Sequence, residues 1–159
     1  MSRLFPRAPY AEDQPYYHTI LAFHVLSRGF VIGAGVGALA YSARRLIRPS
    51  PSLSLLRSSG NGALVGTGLL AVALAGRMRG REEIEWRDRS YRLLWNRGQV
   101  EVDDWWAGGA VTGGVAALAK GAGVRGVIGG MGLGSLVGML GHAGWRYGIK
   151  GGFEEEKVV

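Results

Sequence analysis

Gly33-x-Gly35-x-x-Ala38 follows a short β-branched run at Val31 and Ile32. Its spacing is that of a dinucleotide-binding turn, in which glycines let the backbone approach a pyrophosphate. Such a site needs a strand before it and an acid about 20 residues later for the ribose. Here the preceding residues, HTILAFHVLSRG, are helical in pattern, and no acid occurs between Asp13 and Glu82. GAGVRG, Gly121 to Gly126, has the same spacing and the same missing context. His18, His24 and His142 are the only histidines, and there is no cysteine. His18 and His24 do not share a helix face and have no carboxylates beside them, so the residues do not suggest a metal centre. No Gly-x-Ser-x-Gly elbow occurs. Glu82, Glu83, Glu85, Asp88, Glu101, Asp103 and Asp104 interleave with arginines, the pattern of a solvated, salt-laced face. The expectation is a chain without catalytic residues, metal or redox cofactor.

Arg28 is different, because it interrupts an apolar stretch. A guanidinium in hydrocarbon costs about 2.5–3.5 kcal/mol or more. It is expected to meet a carboxylate of a partner subunit or an anionic lipid headgroup. Arg44, Arg45 and Arg48 form a further cluster suited to the phosphates of a bound phospholipid such as cardiolipin. The net charge of +7 fits anionic lipid better than nucleic acid, since no aromatics interleave with a basic stripe.

The elements that must carry these residues follow from glycine usage. There are 28 glycines in 159 residues, but only 5 prolines, and the glycines lie among Ala, Val, Leu and Ile. That combination suits membrane helices. Small residues recur at steps of four: Gly29, Gly33 and Gly37; Gly62 and Gly66; Gly109, Gly113, Ala117 and Gly121; Gly126, Gly130, Gly134 and Gly138. Residues four apart share a helix face, and a glycine ridge lets another backbone come close. The predicted fold is all-α, an integral membrane four-helix bundle packed through GxxxG ridges. Its helices are expected at about 17–43, 61–76, 105–122 and 124–145, within a membrane domain at 17–150. A polar segment, 1–16, precedes that domain and a tail, 151–159, follows it.

The polar connection, 77–104, is expected to hold an amphipathic helix at the membrane surface or against a partner. Pairs Glu83–Arg87, Glu85–Arg89 and Asp88–Arg92 support it, with Ile84, Tyr91 and Trp95 on one face. Asn96-Arg97-Gly98 should end it, and Asp104 should cap the third membrane helix. The five tryptophans fall near predicted helix ends, where indoles favour the headgroup layer. Lysine and arginine counts favour the side of the termini as the inside face. However, the middle connection also holds seven acids and the first holds none, so charge leaves sidedness open.

From VEVDDWWAGGAVTGG to the Trp145 end of the fourth stretch, the chain resembles the mitochondrial inner-membrane translocase family of four Gly-rich helices. Within that family it is most similar to the translocase-like accessory subunits of respiratory complex I. Asp103-Asp104, Gly108-Gly109, Gly113-Gly114, the short hairpin and the Gly/Ala-rich last helix carry the resemblance. It implies a multi-pass protein of the mitochondrial inner membrane with termini on the intermembrane-space side. The implied role is that of a non-catalytic accessory subunit in a hetero-oligomer with membrane-arm subunits. The alternative is a component of an inner-membrane protein translocase.

Overall fold

The computed structural model describes residues 2–48, 50 and 54–152. Most of the expected tail and of the Pro/Ser break near 49–53 lies outside them. Five α-helices, and no strand, occur among the described residues: α1 Tyr17–Ile47, α2 Leu55–Met78, α3 Glu83–Trp95, α4 Arg97–Ala119 and α5 Val124–Ala143. A π-helical turn, Gly144–Ile149, extends α5.

Local chemistry sets the boundaries. The Ser54 side chain accepts from the Arg57 N–H and starts α2, six residues earlier than expected. Gly80 takes φ +70° between α2 and α3, and Gly121 takes φ +69° at the tight α4–α5 turn. Both lie in the left-handed region that glycine enters at little cost. Asn96 ends α3 and caps α4, its side-chain oxygen accepting from the Gln99 N–H at 3.0 Å. The third long helix therefore begins at Arg97, and Asp104 lies inside it rather than capping it. The expectation missed this because Gly98 and the polar run to Asp104 read as a break, whereas the Asn96 cap and the burial of Val100 and Asp103 hold these first turns in the helix.

Helices α1, α2 and α5 with its π extension are long and apolar enough to cross a membrane. At 1.5 Å per residue the 31-residue α1 spans about 46 Å, against a hydrocarbon core of about 30 Å. Helix α4 falls short of that standard, so three helices meet it rather than the expected four. Its first turns carry Arg97, Glu101, Asp103 and Asp104.

Helix α1 pairs along its length with α2, and α4 with α5, while α5 also packs against both α1 and α2. The α1–α2 and α4–α5 pairs are antiparallel. The start of α1, the end of α2, α3, the start of α4 and the end of α5 therefore gather at one end of the molecule, called here the open end. The α1–α2 and α4–α5 connections lie at the other, the turn end. The core is thin and made of small residues: Val31, Ala34, Ala63, Ala110 and Ala117 are buried between the long helices.

Candidate functional site

Two backbone seams run through the molecule. A side chain added at Gly29 would place its Cβ 2.6 Å from the Gly66 carbonyl oxygen. A Cβ on Gly33 would strike the Gly62 carbonyl, and one on Gly37 would strike that of Ser58. The α4–α5 pair has the same construction. Gly109 faces the Gly134 carbonyl, Gly113 that of Gly130, and Gly138 that of Trp105. Gly126 stands apart, meeting Ala122 of its own turn and Leu56 of α2.

A third and a fourth approach were not anticipated from the four-residue spacing. Gly60 of α2 faces the Arg125 carbonyl, and Gly129 that of Leu56, where α2 crosses α5. Gly132 abuts the Ala34 side chain of α1. Gly129, Gly132 and Ser135 recur at steps of three, the other row that shares a helix face. That row was the sequence signal for a second small face on α5.

At the open end a polar layer closes over the seams. Arg28 Nη2 donates to Asp103 Oδ1 at 2.8 Å, both side chains being largely buried. Gln99 Nε2 donates to the same oxygen at 3.1 Å, and Arg28 Nη1 lies 3.4 Å from Met139 Sδ. Arg28 thus has its carboxylate inside the chain, which corrects the expectation of a partner-subunit or lipid counter-ion. The cause is the early start of α4, which brings Asp103 down to the level of Arg28. Beside this pair, Glu101 meets His142 Nε2 at 3.3 Å, Arg97 Nε at 3.7 Å and Arg146 Nε at 3.9 Å. The Trp105 ring stacks near both His142 and Trp145, and Trp106 meets Phe23 edge-on. Carboxylates here are counter-ions: each faces a cation or an imidazole. Among the described residues, no group of three His, Cys, Asp or Glu could hold a metal ion.

The N-terminal segment folds over α3. Trp95 Nε1 donates to the Ala8 carbonyl at 3.3 Å and Tyr91 Oη to that of Pro9 at 3.2 Å. Arg87 donates to the Glu12 carbonyl and stacks over Tyr17 at 4.8 Å. Buried Gln14 ties the segment to itself, accepting from Ala8 N–H and donating to Pro6 O. The N-terminal segment therefore covers part of the amphipathic face of α3, at Tyr91 and Trp95, a role its polar composition hid, while Ile84 and much of Trp95 stay exposed. Glu83–Arg87 and Asp88–Arg92 pair as the spacing implied, but Glu85 pairs with Arg81 rather than with Arg89.

The turn end is uniformly basic. Arg44, Arg45, Arg48, Arg57, Lys120 and Arg125 are all exposed there. None has an acidic partner among the described residues, because the sequence places no acid between Asp13 and Glu82 or between Asp104 and Glu154.

The chain belongs to a family described as "Protein of unknown function (DUF1757)", whose model matches residues 12–141. No curated protein matches it significantly. The matched span begins at α3's cover and ends within α5, so it takes in both seams and the Arg28–Asp103 pair, and stops just short of His142 and Arg146.

Proposed function

We propose that this family member is a non-catalytic accessory subunit of the membrane arm of mitochondrial NADH:ubiquinone oxidoreductase, complex I. It is a multi-pass protein of the inner membrane and works as part of a hetero-oligomer. Helices α1, α2 and α5 cross the bilayer, and α4 crosses with them, paired to α5 on the outside of the bundle. Lipid supplies no hydrophobic drive between helices, so close packing of small residues supplies the cohesion instead. The reading rests chiefly on the seams, which bring two helix pairs together at backbone distance. Closing on glycine leaves the large apolar side chains pointing outward: Ile32, Val36, Leu69, Val111, Val115 and Val137 are all well exposed. Such faces suit contact with neighbouring subunits and acyl chains. The resemblance between Val100 and Trp145 points to complex I, and the paired carboxylates of the polar layer suit a holding role.

The test is blue-native electrophoresis of gently solubilised mitochondrial membranes, probed for this chain. Migration with NADH dehydrogenase activity is expected. Migration with a protein translocase would replace this reading with the alternative. Recovery in the soluble fraction without detergent would end both.

A further inference from the structure

A furrow of about 240 Å³ runs along the outer side of the α1–α2 seam. Its floor is Gly29, Gly33, Gly62 and Gly66, and its walls are Ile32 and Val36 on α1 and Val65 and Leu69 on α2. The floor glycines are already spent on each other, so the groove accepts something slender. A helix with its side chains is about 10–12 Å across and would rest on the walls without reaching the floor.

The walls continue toward the turn end as cationic rows. On α1 the four-residue row is Ile32, Val36, Ala40, Arg44, with Arg48 at the C-cap just beyond it, and on α2 the row is Leu69, Val65, Asn61, Arg57. Members of such a row share a helix face, and every residue in both rows is exposed. Arg44 lies eight residues from Val36, about 12 Å along the axis, and twelve from Ile32, about 18 Å. One leaflet of hydrocarbon is about 15 Å deep, half of the roughly 30 Å core. An apolar furrow one leaflet deep thus ends in Arg44, Arg48 and Arg57, with no acid at that end among the described residues to neutralise them.

We propose that this furrow is a binding site for one anionic diacyl phospholipid. Arg44, Arg48 and Arg57 hold its phosphate, and an acyl chain lies between Ile32, Val36, Val65 and Leu69. Guanidinium groups bind phosphate by bidentate, charge-assisted hydrogen bonds. The site rests on the membrane-spanning reading above, and it does not depend on which complex the chain joins.

The chain has no cysteine, so a single Asn61→Cys, exposed on the row of Val65 and Leu69 but outside the furrow's lining, can carry a bimane label. The labelled protein is reconstituted in phosphatidylcholine vesicles, and brominated-chain lipids are added as quenchers. Brominated phosphatidylglycerol or cardiolipin is expected to quench at a mole fraction on the order of tenfold lower than brominated phosphatidylcholine. R44Q/R48Q/R57Q should abolish that preference, and R79Q/R81Q/R89Q at the open end should keep it. Equal quenching by anionic and zwitterionic lipid would overturn the site and leave the membrane reading standing. So would equal losses in the two triple variants. Absence of quenching by any brominated lipid would overturn both. In native membranes, a photo-crosslinker on the same cysteine should capture lipid; capture of a neighbouring helix would assign the furrow to a protein and overturn the site.

Discussion

Arg28 and Asp103 are each half of a buried ion pair whose value lies mostly in what its loss would leave behind. Breaking a buried pair on one side strands a charge and costs about 3–5 kcal/mol, whereas replacing both partners with apolar groups is often close to neutral. Asp103→Asn and Arg28→Met should therefore each lower stability by roughly that amount. The double variant Arg28→Met/Asp103→Leu should be less damaged than either single one. Unfolding of the detergent-solubilised chain, followed by circular dichroism, measures this. Single variants as stable as the parent would show that the pair is solvated. Arg28 itself was conspicuous in the sequence as a charge within an apolar run. Its partner was not, because Asp103 sits 75 residues away in a segment rich in other acids and arginines.

At the scale of elements, glycines with similar surroundings in sequence divide into blocked and open positions. Gly33 and Gly113 have a facing carbonyl where a Cβ would go, whereas Gly68 and Gly108 have nothing within 4 Å. Alanine therefore should act with opposite sign at the two classes. Gly33→Ala or Gly113→Ala should destabilise by about 1–3 kcal/mol through overpacking. Gly68→Ala or Gly108→Ala should be neutral or stabilise by up to about 1 kcal/mol, the helix-propensity gain over glycine. Thermal stability in one detergent separates these outcomes, and equal effects at all four sites would remove the seams as the source of cohesion. The cover on α3 makes a separate prediction. Trp95→Ala removes a hydrogen bond to Ala8 and a cation–π contact with Arg7 at 5.8 Å, together about 1–2 kcal/mol. Tryptic cleavage at Arg3 and Arg7 should then quicken by roughly tenfold, while cleavage elsewhere stays unchanged. The four-residue spacing marked the glycine faces of α1, α2 and α4. It did not mark the crossing at Gly60 and Gly129, because that contact uses a second face of α5, spaced by three, which meets α2 at Gly129 and α1 at Gly132.

Across the whole molecule, charge divides sharply by end. Among the described residues the turn end holds six cations and no acid, while the open end mixes arginines with the carboxylates of α3 and α4. Both pairs of long helices turn at the same end, so α3 and the 2–14 segment must share one side, opposite the 120–123 turn. A protease site inserted near Arg89 and one inserted near Gly121 should be cut from opposite sides of sealed vesicles. Cleavage of both from one side would refute the topology. The sequence by itself determined that the chain is helical and apolar in long runs. It determined which residues recur on each face and which segments carry charge, since these follow from periodicity and composition within one element. The tertiary structure decided what lay between elements: the Arg28–Asp103 pair, the cover of 2–14 over α3, the crossing of α2 on α5, and the joining of an apolar furrow to a basic end. Each depends on where an element starts and on which face of a distant helix it meets, and local spacing does not encode either.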